Sequence, residues 1–148
     1  MNEKIYTPVK GFVKDITESV DEVFSEKMMG DGFIVEPSGG KVCSPCAGEV
    51  VSVFPTCHAV TLKSEDGTEI LVHIGIDTVE LDGQGFKRLI TEGQKVKVGD
   101  PLIDVNWRKI VRKGYSTDTM VVVLDKNKTI SKLNLHEKCT SPLCVLTL

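Results

Sequence analysis

The chain has 148 residues, a length typical of one folded domain, and we predict a single domain over residues 1–148. Its 18 Lys and Arg residues against 21 Asp and Glu residues give a net charge of −3, whereas nucleic-acid-binding domains carry a basic excess. Charged residues at 26% and hydrophobic residues at 41% are ordinary for a globular protein. Composition therefore excludes disorder and argues against a nucleic-acid partner.

The N-terminal sequence MNEKIYTPVK lacks the apolar run of about 7–15 residues that a secretory signal requires. No stretch approaches the roughly 20 apolar residues of a membrane helix. We therefore expect a cytoplasmic protein that does not insert into the membrane. The five cysteines, Cys43, Cys46, Cys57, Cys139 and Cys144, are an odd number in a chain without a signal, and we expect reduced thiols.

Short apolar runs separated by turn residues predict a largely β protein, in which helical spacing is brief wherever it occurs. In the first half of the chain we predict a helical segment from Val20 to Met28 that stops at Gly30, followed by strands at Lys41–Val42, Glu49–Phe54, Ala59–Lys63 and Glu69–Ile74. Next we predict a helical turn through Phe86, Leu89 and Ile90 that ends before Gly93, and a strand at Pro101–Val105. The last predicted elements are a turn capped by Asn106 that runs to Val111, and strands at Thr119–Leu124 and Cys144–Leu148. Seven or more short strands are typical of an antiparallel sandwich or barrel. We predict an all-β fold of that kind with a few short helical turns.

One internal repeat is visible. Residues 7–16 (TPVKGFVKDI) align without gaps on residues 44–53 (SPCAGEVVSV) and share a hydroxyl residue, Pro, Gly, Val and a terminal aliphatic residue. The shared proline and glycine require particular backbone geometry, which favours a structural repeat over coincidence. We infer an internal duplication of two related β units.

Two histidines point to a functional site. His73 lies in the aliphatic run EILVHIG, and His58 follows Thr56 at the end of the preceding strand. The turn residues Glu65–Gly67 join these two strands, so the strands can pair and bring the two imidazoles together. A histidine in an apolar run is more often a core residue, but a second histidine beside it favours function.

Two adjacent neutral imidazoles permit two kinds of chemistry. One ring nitrogen can attack phosphorus while the other ring donates an N–H to the phosphoryl oxygens, provided that a hydrogen bond fixes each tautomer. Thr56 and the carbonyl of Gly75 are the candidates for those hydrogen bonds. Alternatively, His58 and His73 could bind zinc with a carboxylate or a cysteine completing the tetrahedron.

Residues 73–88 (HIGIDTVELDGQGFKR), 54–59 (FPTCHA), 23–32 and 92–100 resemble the glucose-family IIA phosphocarrier of the bacterial phosphoenolpyruvate:sugar phosphotransferase system. The resemblance extends from about Ile5 to Leu148 and implies an internally duplicated, cytoplasmic β-sandwich without a cofactor. It also implies a phosphotransferase component that acts only with partner proteins. His73 would accept a phosphoryl group from a histidine of the small phosphocarrier HPr and pass it to a cysteine of a sugar-specific IIB domain.

Carried over position by position, the resemblance makes His73 the phosphorylated residue and His58 its partner. Thr56 matches the hydroxyl that orients His58, whereas Gly75 and Asp77 match the loop that holds His73. Methionines suit a docking surface for unlike partners, because the unbranched thioether repacks easily. The family's apolar docking face falls on Val23, Phe24, Met28, Met29, Phe54, Leu71 and Val79.

Other functions remain open at this point. A regulatory protein that binds partners through the same face is the main alternative, since relatives also bind non-transport partners. A zinc hydrolase of the lysostaphin-like class has a related fold but requires a His-x-His pair, and Gly75 stands where the second histidine would be. Residues 92–100 also look like biotinyl and lipoyl carrier domains, although the lysine hairpin of those domains is missing.

The remaining cysteines and the third histidine carry simpler interpretations. Cys43 and Cys46 with Cys139 and Cys144 could form a zinc knuckle, but the C-x4-C spacing of the second pair and Pro45 favour an ordinary turn. We predict no intrinsic metal site, and His58 and His73 stay possible ligands for adventitious or interface zinc. Because adjacent strand residues point to opposite faces, we expect Cys57 to be inert beside His58. His136 is expected to be a solvated surface residue.

Overall fold

A computed structural model describes residues 3–148, which form short strands and two short helices. The strands are β1 (Lys4–Tyr6), β2 (Lys10–Asp15), β3 (Asp31–Gly39), β4 (Val42–Cys43), β5 (Gly48–Val53), β6 (Ala59–Ser64), β7 (Glu69–Ile74), β8 (Phe86–Arg88), β9 (Lys95–Val96), β10 (Pro101–Val105), β11 (Thr119–Val123), β12 (Ser131–Lys132), β13 (Lys138–Cys139) and β14 (Cys144–Thr147). The helices are α1 (Glu22–Ser25) and α2 (Trp107–Arg112), and 3-10 turns lie at Ile16–Glu18 and Thr78–Leu81.

The strands of the described residues form three open sheets in which each pairing is antiparallel. The large sheet has the strand order β13-β2-β3-β11-β7-β6-β5-β9, and the small sheets have the orders β1-β14-β12 and β4-β10-β8. The large sheet ends on two-residue strands, which limits pairing with other chains. The prediction of an all-β fold is confirmed. Of the two predicted forms, the sandwich and the barrel, the described strands form open sheets and not a closed barrel.

The large sheet is buried on both of its faces. Side chains from all three sheets, among them Ile5, Val42 and Val72, form the main core against one face. A smaller cluster covers the other face beneath α1 and the first 3-10 turn, and it consists of Ile16, Phe24, Ile34, Ala59, Leu71, Ile76, Met120 and Val122. Alternate residues of a strand therefore enter different cores, as the period of two requires.

The internal repeat predicted for residues 7–16 and 44–53 occupies equivalent positions in the sheet. Gly11 of β2 and Gly48 of β5 each lie where a Cβ would collide with a backbone carbonyl of the next strand, at Glu36 of β3 and Lys63 of β6. Both glycines therefore permit a close approach of two backbones. The alignment of the two repeats matches these same two glycines.

The short helices agree with their predicted positions. The side chain of Asp21 accepts a hydrogen bond from the backbone N–H of Val23 and begins α1, and Asn106 begins α2 through the N–H of Lys109. Within residues 3–148, no helix is long and apolar enough to cross a membrane.

The predicted strands do not include β1, β3, β9, β12 or β13, and one predicted helical turn is a strand. The spacing of Phe86, Leu89 and Ile90 predicts a helical turn, but Phe86–Arg88 is strand β8, paired with β10. Five residues are too few to separate the two periods, and tertiary pairing decides the outcome. Strand β3 contains Gly32 and Pro37, which are uncommon inside strands. Gly32 lies against the carbonyl of Val121 in β11, so a side chain there has no space.

We expect Gly48→Ala to lower the free energy of unfolding by about 1–3 kcal/mol, because the added methyl group must displace the carbonyl of Lys63. Equilibrium urea unfolding measures the change. Glu49→Ala, at the exposed neighbouring position, is the control and should be close to wild type. Gly48→Ala with wild-type stability would contradict the close approach of β5 and β6.

Candidate active site

The strand pair β6–β7 places the two histidines side by side, as the hairpin predicted. Ala59 lies opposite His73, and the N–H of Ile74 donates to the carbonyl of His58 at 2.7 Å. The ring centroids of His58 and His73 are 5.0 Å apart with an interplanar angle of 85°. The two imidazoles therefore meet edge to face at the end of the hairpin.

A carbonyl fixes the tautomer of His73. Its Nδ1 lies 2.8 Å from the oxygen of Gly75, and a carbonyl oxygen only accepts, so Nδ1 must carry the proton. This leaves the lone pair of Nε2 unprotonated and available as a nucleophile. Gly75 has φ +79°, and a Cβ there would meet the methyl group of Thr78. Glycine is therefore required at this position.

A hydroxyl group orients the second imidazole. Thr56 Oγ1 lies 2.6 Å from Nδ1 of His58. With the hydroxyl donating to Nδ1, the tautomer of His58 carries its proton on Nε2 and presents an N–H to the site. The two histidines thus have complementary ring states, with a bare nitrogen on His73 and a donor on His58.

A tight turn separates Thr56 from His58. The N–H of Cys57 donates to the carbonyl of Phe54 at 2.7 Å, and Cys57 has a left-handed φ of +58°. Cys57 packs against the main core, whereas His58 belongs to the site. The two side chains diverge because of this turn, and not by the strand alternation on which the prediction rested.

Burial keeps both imidazoles neutral near pH 7. Burial lowers the pKa of His58. Burial, with a smaller contribution from the neighbouring His58 ring, lowers the pKa of His73 to about 4. Because the neutral form of His73 predominates, its Nε2 lone pair is not lost to a proton at physiological pH.

Two aromatic rings enclose the imidazole pair. The ring of Phe24 lies 5.1 Å from that of His73 between centroids, and Phe54 lies 5.4 Å from His58 in an edge-to-face contact. His58 is 3% exposed, whereas His73 is half-buried. The two imidazoles therefore have apolar surroundings, and His73 is the more accessible ring.

The seven residues assigned to the docking face divide into two groups. Phe24 and Leu71 are 5% and 2% exposed and belong to the smaller core cluster, so they contribute almost no exposed surface to this face. Leu71 shares the face of β7 with His73, and α1 covers it. The remaining five are between 38% and 57% exposed, and we call them the docking face: Val23, Met28, Met29, Phe54 and Val79.

Asp77 lies in the loop after His73 but acts there through its backbone. It is exposed and has a left-handed φ of +60°. Its side chain makes no capping hydrogen bond, whereas its carbonyl accepts the N–H of Glu80 at 3.1 Å. Asp77 therefore turns the chain into the 3-10 turn Thr78–Leu81.

The structure does not assemble a metal centre within residues 3–148, where no three His, Cys, Asp or Glu side chains converge on a point that could hold a metal ion. The two histidines are thus a pair without a third ligand from the described part of the chain. All five cysteines are free thiols. Burial raises the pKa of Cys46 to about 12, which opposes the thiolate form that zinc binds.

The third histidine is exposed but has a partner that the sequence did not indicate. His136 Nε2 lies 2.8 Å from a carboxylate oxygen of Glu18. This exposed contact is remote in sequence from the site and joins the region before β13 to the first 3-10 turn.

Comparisons with known proteins agree with this geometry. A family model described as "phosphoenolpyruvate-dependent sugar phosphotransferase system, EIIA 1" matches residues 3–129. The chain belongs to this EIIA family. The glucose-specific EIIA component of Halalkalibacterium halodurans is 46% identical over 136 residues, which is 92% of this chain and 76% of the relative. The glucose-specific EIIA component of Staphylococcus aureus strain MSSA476 is 44% identical over 90% of this chain and 80% of the relative.

A solved structure shares the fold of this EIIA chain. The glucose permease IIA from Mycoplasma capricolum matches with a TM-score of 0.93 and 34% sequence identity, over 99% of this chain and 96% of that one. The antiparallel fold is therefore that of the family, and the chain is a component of a sugar phosphotransferase system.

Sequence reasoning missed one segment of the site. The carbonyl of Asp118 accepts the N–H of Gly75 at 2.9 Å, and the carbonyl of Ser116 accepts the N–H of Ile76 at 3.3 Å. Tyr115 also donates its hydroxyl to Glu80 at 3.0 Å. No motif marks residues 115–118, because most of these contacts use the backbone.

We expect His73 to titrate at about pH 4 and to carry its proton on Nδ1 at pH 7. The pKa of His73 is lower in the folded chain than its ordinary value of 6.5, so the unfolded chain binds a proton that the folded chain does not. The free energy of unfolding should therefore fall as the pH drops from about 6.5 towards 4. NMR titration of the imidazole nitrogens and urea unfolding at several pH values measure these effects, and titration of His73 near 6.5 would contradict the buried site.

Proposed function

We propose that this EIIA chain is a cytoplasmic phosphocarrier for sugar uptake. His73 accepts a phosphoryl group from the phosphohistidine of HPr and passes it to a cysteine of a sugar-specific IIB domain. One observation carries the proposal: the hydrogen bond from His73 Nδ1 to Gly75 leaves Nε2 as a neutral, half-buried nucleophile beside a second imidazole. The names of the relatives, glucose-specific EIIA components, support the same role.

The first transfer is a displacement at phosphorus. The lone pair of His73 Nε2 forms the new N–P bond, the N–P bond of the donor histidine breaks, and its electron pair returns to the donor nitrogen. In the second transfer a cysteine thiolate of the IIB domain forms an S–P bond, and the pair of the broken bond returns to His73 Nε2. Such transfers have a loose transition state, so positioning and electrostatics supply most of the catalysis.

His58 acts as a hydrogen-bond donor and not as the nucleophile. Thr56 occupies Nδ1 of His58, so the remaining N–H of the ring can bind a phosphoryl oxygen on His73. Its lowered pKa keeps the ring neutral in the free protein, and the negative charge of a phosphoryl group would favour protonation. His58 therefore stabilises the phosphorylated state and the transition state of each transfer.

The docking face provides the binding surface for both partners. Its exposed apolar side chains come from the segments that adjoin the imidazole pair, and two of them are the methionines Met28 and Met29. When a partner covers this face, water is excluded from the phosphohistidine, which limits its hydrolysis.

We expect His73→Ala to abolish phosphorylation by Enzyme I, HPr and labelled phosphoenolpyruvate, because the only proposed acceptor nitrogen is removed. His58→Gln retains a donor but cannot share a proton, so it should still become phosphorylated while passing the group to the IIB domain more slowly. Single-turnover measurement of both half-reactions tests this. Label on His73→Ala, or wild-type rates for His58→Gln in both steps, would refute these roles.

We expect Val79→Glu to raise the Michaelis constant for HPr by on the order of tenfold to a hundredfold, because burying one such side chain is worth on the order of 1.5–3 kcal/mol. Unlike a screened charge pair, this effect should persist at high salt. Val79 is 52% exposed.

The matched control is Val111→Glu, which changes a 63% exposed valine on α2 outside the docking face. Phosphotransfer kinetics and thermal unfolding at low and high salt compare the two variants. If folded Val79→Glu docks as well as Val111→Glu, the docking face is assigned wrongly.

A further inference from the structure

The two peptide planes on either side of Gly75 are each held by hydrogen bonds. The N–H of Gly75 donates to the carbonyl of Asp118 at 2.9 Å, and the N–H of Ile76 donates to the carbonyl of Ser116 at 3.3 Å. The carbonyl of Ile74 accepts a hydrogen bond from Thr78 Oγ1 at 2.5 Å. Together these bonds fix the direction of the Gly75 carbonyl, which sets the tautomer of His73.

Thr78 differs from Ser116 and Asp118 because its hydrogen bond to the loop uses its side chain and not its backbone. It is 0% exposed, and its hydroxyl is committed to the carbonyl of Ile74. Its methyl group lies where a side chain of Gly75 would be, so it fills the space beside that glycine. Thr78 thus contacts the loop with both branches of its side chain.

We propose that Thr78 is a positioning residue for phosphoryl transfer, whose hydroxyl holds the peptide of Ile74 and Gly75 so that the Gly75 carbonyl binds Nδ1 of His73. This inference rests on the proposed phosphocarrier function, but the ring state it concerns exists in the free protein. Thr78 does not touch the reacting atoms, and it acts through Gly75.

The test compares Thr78→Val with Thr78→Ser. Valine keeps the shape and loses the hydroxyl, which leaves the carbonyl of Ile74 unpaired in a buried place. We expect Thr78→Val to populate the Nε2–H tautomer of His73 in NMR spectra at pH 7. Its single-turnover phosphorylation by phospho-HPr should slow by on the order of tenfold to a hundredfold, with an unchanged Michaelis constant for HPr. Thr78→Ser keeps the hydroxyl and should retain the wild-type tautomer and most of the rate.

The matched control is Thr68→Val. Thr68 is also buried, at the other end of the β6–β7 hairpin, and its hydroxyl has no partner within residues 3–148. Thr68→Val should keep the wild-type tautomer and transfer rate. A purely structural role of Thr78 would change thermal unfolding but not the ring state of His73.

Each outcome decides a separate question. Folded Thr78→Val with the wild-type tautomer and rate would overturn the positioning role, and so would a mixed tautomer in folded Thr78→Ser. If Thr78→Val does not fold, Thr78→Ala removes the hydroxyl without crowding, and the comparison with Thr78→Ser is unchanged. If the wild-type chain is not phosphorylated at all, the proposed function fails, while the tautomers of the variants still decide the role of Thr78.

Discussion

The hydrogen bond from His73 Nδ1 to the carbonyl of Gly75 is the interaction on which the site depends. It determines which ring nitrogen is bare, and without it the imidazole would exchange between two tautomers of similar energy. The left-handed backbone at Gly75 and the pairing of β7 with β6 and β11 all serve to aim this one carbonyl. A backbone acceptor suits the task, because it cannot itself ionise or rotate away.

The double burial of the large sheet explains why this hydrogen bond is effective. Most strands of a sandwich have one solvent-exposed face. Strand β7 is instead covered on both faces, because Val72 contacts the main core and Leu71 contacts the smaller cluster. His73 follows Leu71 on the same face of β7, so its ring lies next to the buried apolar side chains of the smaller cluster. The same burial lowers its pKa to about 4, and the cost of charging the ring is what keeps the nucleophile available.

The sequence predicts those elements whose local residue pattern favours the same conformation as their tertiary contacts. The hairpin from β6 to β7 is joined by a short glycine turn, so the approach of His58 and His73 follows from the sequence. Strand β8 and the residues 115–118 depend on pairings with distant segments, and no local pattern records these. Burial of Phe24 likewise could not be predicted, because α1 has only four residues and only its packing shows which side faces the sheet.

The imidazole pair and the exposed apolar face are built on different kinds of structure. The two imidazoles lie at the end of a strand pair with buried hydrogen-bond partners, where a close-packed interior restricts movement. The docking face comes from α1, the residues after it, and turn residues such as Phe54 and Val79, where side chains are exposed and free to repack. Under the proposed function, one nitrogen has to be presented in a constant geometry to two unlike proteins, a histidine donor and a cysteine acceptor. A fixed imidazole beside an adaptable apolar surface would meet both requirements, since the surface can accommodate each partner without moving Nε2 of His73.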